Sequence, residues 1–63
     1  MAQLRVIVRG TNTDHVLESP ELTPEDGERQ LKTVVEMLPT GKVIELPWAT
    51  FQTNSVIAAQ LFP

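Results

Sequence analysis

The sequence predicts a mainly β fold, in which residues 1–63 form a small single domain built as a partly open β-barrel of four to five strands. Three observations predict it. Apolar and mostly charged positions alternate in Leu4–Arg9, two β-rich runs flank a turn at Pro39–Lys42, and Val56–Phe62 is an apolar run that suits a strand. A chain of 63 residues has room for one domain only, so these strands are expected to share one small core.

The first two strands are predicted from alternation and from turn-forming residues. In residues 4–9, Leu4, Val6 and Val8 fall on one face of a strand, and Arg5, Ile7 and Arg9 fall on the other. Residues 10–14 are turn formers, and His15–Glu18 is expected to return antiparallel to the first strand. Ser19–Pro20 then ends this second strand, because proline lacks the N–H that a strand ladder needs.

Residues 24–38 carry conflicting signals, and the choice between them decides the architecture. A helix is indicated by Thr23 at the N-cap, by Pro24 at the first helical position and by acidic residues in the first turn. An apolar stripe with helical spacing follows at Leu31, Val34, Val35 and Leu38. This alternative leads to an α+β fold with one helix at about 24–38 packed on a small antiparallel sheet.

Other signals favour a strand over Arg29–Leu38, and we favour this interpretation. Gly27 weakens the first helical turns, Thr33–Val35 is a β-branched run, and the residue before Pro39 is disfavoured in the helical region. The turn at Pro39–Lys42 would then join this strand to a second one over residues 42–46. The predicted hairpin is what makes the barrel the first choice.

The turn has nearly complete hairpin chemistry, since Pro39 presets φ for a type I turn and Gly41 suits a left-handed position. It resembles the first hairpin of ubiquitin, and this resemblance implies local geometry alone. Pro47–Phe51 is expected to be extended. Val56–Phe62 is a last element of either type: Asn54 could cap a helix, but an apolar run that begins Val-Ile suits a closing strand at least as well. The order of strands and a short single turn resembles that of SH3-like and Sm-like barrels.

Composition excludes several classes of partner and site. Lys and Arg number 5 against 8 Asp and Glu, so the net charge of −3 predicts no nucleic-acid partner. No apolar run is long enough for a membrane span, so we expect no membrane partner and a cytoplasmic location. The chain has no cysteine, which excludes disulfides and thiolate metal sites.

No catalytic, cofactor-binding or metal-binding residue is predicted. His15 beside Asp14, with Ser19 or Ser55, supplies the residue types of a hydrolase triad, but these types are common in any chain. So short a chain leaves little room for an enclosed cleft, and its isolated glycines do not form a phosphate-binding loop. We therefore expect a protein without enzymatic activity.

The expected function is a binding module that acts through protein–protein contacts and is a homo-oligomer. A domain of this length buries only about 60% of the surface that its unfolded chain exposes. Such domains usually add disulfides, a metal or self-association, and the sequence offers neither of the first two. Side chains typical of interface anchors predict the contact residues, which are Arg5, Trp48, Phe51, Leu61 and Phe62.

A second hypothesis is an oligomer that sequesters a small nucleotide-like ligand at its subunit interfaces, as accessory proteins of phages and mobile elements do. Arg5 and Arg9, on the same side of the first strand, would contact the anionic part of the ligand. Trp48 or Phe51 would stack on its ring. Thermal-shift screening against nucleotides separates this hypothesis from the first one.

Overall fold

The computed structural model describes residues 1–63 and contains five strands and one α-helix. Short 3₁₀ turns follow the helix at Leu38–Thr40 and precede the last strand at Thr53–Ser55. The elements are β1 (Gln3–Val8), β2 (His15–Glu18), α1 (Pro24–Met37), β3 (Val43–Leu46), β4 (Ala49–Gln52) and β5 (Val56–Phe62).

Three strands form an antiparallel sheet in the order β2-β1-β5, with β1 in the centre. Along β1, Leu4 pairs with Leu61, and Val6 lies between Leu17 and Ala59. The register shifts by one residue near the end of β1, so that Ile57 is the extra residue of a bulge in β5. The predicted first hairpin and the predicted closing strand are both confirmed.

Residues 24–37 are helical, so the strand interpretation of residues 29–38 is wrong and the α+β alternative is confirmed. The Thr23 hydroxyl accepts a hydrogen bond from the Asp26 N–H at 3.1 Å, and Pro24 begins the helix as predicted. The stripe decides the outcome: Val34 is completely buried, and burial of such a residue outweighs the small helix penalty of a β-branched side chain. Val35, in contrast, faces solvent.

The strands do not close into a barrel. β3 and β4 form a separate antiparallel hairpin that is joined at Pro47–Trp48 rather than at Pro39. Pro39–Thr40 instead continues the helix into a 3₁₀ turn, and the ubiquitin-like hairpin is absent. Gly41 does take the predicted left-handed conformation, with φ of 69°, and redirects the chain from the helix into β3.

One core connects the sheet, the helix and the hairpin. Its fully or nearly buried apolar residues are Leu4 and Val6 of β1, Val34 of α1, Ile44 of β3 and Phe51 of β4. The helix lies close to the last strand at Gly27, where an added Cβ would come within 2.8 Å of the Leu61 Cδ1. Because the helix and the hairpin pack on one side of the sheet, the other side is left uncovered.

Candidate functional site

The side of the sheet that faces away from the helix combines apolar and polar side chains. We call this surface the open face, and its residues are Gln3, Arg5 and Ile7 of β1, Val16 and Glu18 of β2, and Ala58, Gln60 and Phe62 of β5. Val16 is 52% exposed and Phe62 is 39% exposed. Val16 lies opposite Ile7 and Phe62 lies opposite Gln3, so the open face exposes an apolar side chain near each end of β1.

A row of interacting side chains crosses the open face from β2 to β5. The Arg5 Nη2 lies 3.4 Å from Glu18 Oε2, and the guanidinium carbon lies 4.7 Å from the centre of the Phe62 ring. Each interaction is worth about 0.2–1 kcal/mol because the pair is partly solvated. The row therefore positions Phe62 on the face more than it stabilises the fold.

The outer edge of β5 has backbone groups without a strand partner. The Leu4 C=O accepts from the Ser19 N–H, and the Leu4 N–H donates to the Ser19 hydroxyl, so both Leu4 groups point to the β2 side of β1. Since successive residues of a strand direct these groups to alternate sides, Arg5 faces β5 and pairs with Gln60. The N–H and C=O groups of Ala59 and Leu61 consequently point away from β1, where no strand pairs with β5. We call this the free edge.

The structure brings together two of the five predicted interface residues. Arg5 and Phe62 lie on the open face, whereas the Leu61 side chain faces the helix near Gly27. Phe51 is a core residue with 8% exposure. The Trp48 Nε1 donates a hydrogen bond to the Gln30 side chain at 2.7 Å and so links the β3–β4 turn to the helix.

The predicted anion contacts lie in different environments. Arg5 is engaged by Glu18 and Phe62, so an anion would have to displace the Glu18 carboxylate. Arg9 is exposed just beyond β1, and its backbone N–H donates to the Ser55 carbonyl at 2.7 Å. Arg9 makes no ion pair, so of the two side chains it is the one available to a ligand.

Two residues that the triad hypothesis named, His15 and Ser19, lie at the start of β2 and directly after its end. His15 is exposed at the first residue of β2. The Ser19 hydroxyl is buried; it accepts from the Leu4 N–H at 2.9 Å and donates to the Pro20 carbonyl at 2.8 Å. This hydroxyl closes the end of the β1–β2 pair.

The structure shows neither a ligand pocket of ordinary size nor a cluster of metal-ligating side chains. Two half-open depressions of about 250 and 270 Å³ adjoin Met1 and Pro63, below the about 300 Å³ at which ligand pockets begin. No group of three or more His, Asp or Glu side chains is placed to hold a metal ion. The only helix of ordinary length is too short and too polar to cross a membrane.

Reasoning from the sequence missed Glu18, Val16 and the free edge. The hairpin register would have revealed the first two, because it places Glu18 opposite Arg5 and Val16 opposite Ile7. The free edge had a signal as well, since Val56–Phe62 contains no charged residue and no proline.

Comparison with known proteins adds no assignment to this geometry. No protein-family model, no curated protein and no solved structure matches the chain.

Proposed function

We propose that this protein is a non-enzymatic binding module that self-associates through its three-stranded sheet. The observation that carries the proposal is the junction of two unpartnered surfaces in β5. This strand contributes Phe62 to the open face and the backbone groups of Ala59 and Leu61 to the free edge. A partner that contacts β5 would therefore bury apolar side chains and complete hydrogen bonds at the same place.

The location of the exposed apolar groups supports this proposal, whereas the total accessible surface of the chain does not distinguish a monomer from an oligomer. The accessible surface is 4271 Å², close to the about 4,000 Å² that area scaling gives for a monomer of this mass. The chain is thus compact by itself. Its exposed apolar side chains on the open face are what a partner would cover.

Charge favours a second copy as that partner. The net charge is −3, but the open face carries one arginine and one glutamate that are paired with each other. A further acidic group, Glu21–Glu28, lies before and within the first turns of α1, which covers the opposite face. Contact through the sheet therefore involves a nearly neutral surface of each copy.

The test is the solution mass of the full chain, measured by light scattering from micromolar to millimolar concentration. We expect a mass that rises with concentration above 7.0 kDa. Phe62→Lys should raise the dissociation constant about tenfold or more, because burial of a phenylalanine is worth about 1.5–3 kcal/mol.

Leu38→Lys is the matched control for this variant. Leu38 is 38% exposed, like Phe62 at 39%, but it lies at the end of the helix, away from the open face. We expect Leu38→Lys to associate like the unmodified chain. A mass of one chain at every concentration would overturn the proposal.

A further inference from the structure

Resting on the proposed self-association, we infer its geometry: two copies pair antiparallel along β5, about a two-fold axis at Gln60. The product is one continuous sheet with three strands from each copy. The open faces of the two copies then lie on the same side of this sheet. The inference names the edge, and not the stacking of two open faces, as the primary contact.

The first step is the capacity of the free edge to bind a strand. β5 is the longest strand, with seven residues, and contains neither a charge nor a proline. Ala59 and Leu61 each offer an N–H and a C=O to an added strand. Long, uncharged edges of this kind pair with other strands unless a feature of the sequence prevents it.

The second step is the identity of the added strand. A two-fold axis places the residue on the axis opposite its own copy, so a charge near the axis would meet a like charge. No residue of β5 is charged, so no like charges meet within the strand pair, and Gln60 is a residue whose amide both donates and accepts hydrogen bonds. The strand that suits β5 on these grounds is a second β5.

The third step is the register. With the axis at Gln60, every backbone bond comes from Ala59 and Leu61, whose pairing with β1 is regular. A shift of the axis toward Phe62 would require an N–H from Pro63, which has none. A shift toward Ala58 would use Ile57, which the bulge displaces from regular geometry.

Side chains agree with this register. Phe62 of one copy lies opposite Ala58 of the other on the open face, so a large ring meets a small residue at both ends of the contact. The Gln60 side chains meet at the centre. Pairing of a single strand buries less than the about 800 Å² per partner of a standard interface, so we expect micromolar rather than nanomolar affinity.

Disulfide trapping tests the axis. The chain has no cysteine, so Gln60→Cys creates a single thiol. In the proposed register the two copies of residue 60 form a non-hydrogen-bonded pair with Cα atoms about 4.5 Å apart, which is within disulfide range. With copper phenanthroline as the oxidant, the covalent dimer should form at least about tenfold faster than with Gln52→Cys, because pairing raises the effective thiol concentration.

Gln52→Cys is the matched control, because Gln52 is also an exposed glutamine in a strand but lies in β4. Equal rates for the two variants, at concentrations where the unmodified chain is dimeric by light scattering, would overturn the inference.

A second variant, Ala59→Pro, tests the backbone bonds. The N–H that it removes points to the free edge, so the bonds between β1 and β5 are retained. We expect a folded chain by circular dichroism with the mass of one copy. If this variant fails to fold, the trapping experiment decides the inference without it.

Stacking of open faces is the competing arrangement, and Val16→Lys distinguishes it. Val16 is 52% exposed on β2, far from the free edge, and Val43→Lys on β3, at 54% exposure, is its control. Edge pairing predicts that both variants remain dimeric. Loss of the dimer in Val16→Lys alone, with a folded and dimeric Ala59→Pro, would overturn edge pairing and leave self-association standing; a monomeric unmodified chain would overturn both.

Discussion

The two edges of the same sheet differ in almost every property that controls strand pairing. β2 has four residues, begins with His15, contains Glu18 and is followed by Ser19–Pro20. β5 has seven residues and is uncharged throughout. Both strands pair antiparallel with β1, and a bulge at Ile57 is the one irregularity in these pairings.

In the proposed self-association, this difference would limit the assembly to two copies. Short length, a charged side chain and a nearby proline are the features that keep an edge from pairing, and β2 has all three. β5 is longer and has no charged side chain, and its proline, Pro63, and its bulge at Ile57 lie at the two ends of the strand and not around Gln60. A chain with one protected edge and one free edge forms a closed pair, whereas two free edges would allow open-ended growth.

The largest expected effect on stability comes from a substitution in β1, because both edge strands pair with β1. Leu4→Ala removes a completely buried side chain and should cost about 2–5 kcal/mol, most of the roughly 3–5 kcal/mol that such a core supplies. We expect both edges to be lost together in urea denaturation followed by circular dichroism. Leu38→Ala, at a half-exposed position, should change stability by about 0.5 kcal/mol. Retention of one edge without the other would contradict a single cooperative sheet.

An intermediate effect is expected at the end of the protected edge. Ser19→Ala leaves the buried Leu4 N–H without its side-chain acceptor and should lower the free energy of unfolding by about 1–3 kcal/mol. Hydrogen exchange should show that the amides of β2 lose protection first and that those of β5 are less affected. Ser55→Ala is the control, because Ser55 lies in the turn before β5 and not at the β1–β2 junction. Equal destabilisation by both would show that the hydroxyl has no special part at this edge.

The smallest expected effect on stability comes from removing the charge that protects the β2 edge. Glu18→Val removes the charge from β2 and should cost about 0.2–1 kcal/mol, because the ion pair with Arg5 is partly exposed. It also makes β2 an unprotected edge, so light scattering should detect species larger than two copies. Glu36→Val, which removes the exposed helical pair with Lys32, should not assemble further. If both variants form larger species, the loss of one negative charge, and not the unprotected β2 edge, would explain the assembly.

The sheet was predictable because its signals are local and agree with one another. Alternation in Leu4–Arg9, the turn formers after it and the return strand His15–Glu18 all indicate the same hairpin, although its register was not predicted. The apolar run Val56–Phe62 was recognisable as a strand from its composition, whereas its pairing with β1 was set by the tertiary structure. Such agreement across levels is what lets a short pattern specify structure.

The helix and the candidate site were less predictable, because their local signals conflict or are silent. In residues 24–38 the cap favours a helix, while Gly27 and the valines favour a strand. The conflict is resolved by Val34 in the core and by the approach of Gly27 to Leu61, which are contacts between distant segments. Trp48 and Phe51 looked like interface anchors by residue type, yet one bonds to Gln30 and the other is buried.

By itself, the sequence determined the strands at both ends of the chain, the left-handed Gly41 and the acidic balance, since each depends on neighbouring residues or on simple counts. Tertiary structure alone decided that residues 24–37 are helical and that β5 lies at the outside of the sheet. It also decided which aromatic side chain reaches the open face. The physical reason is that burial and strand order are set by contacts between residues far apart in the chain, where propensities worth tenths of a kcal/mol compete with burial terms of about 1.5–3 kcal/mol per side chain.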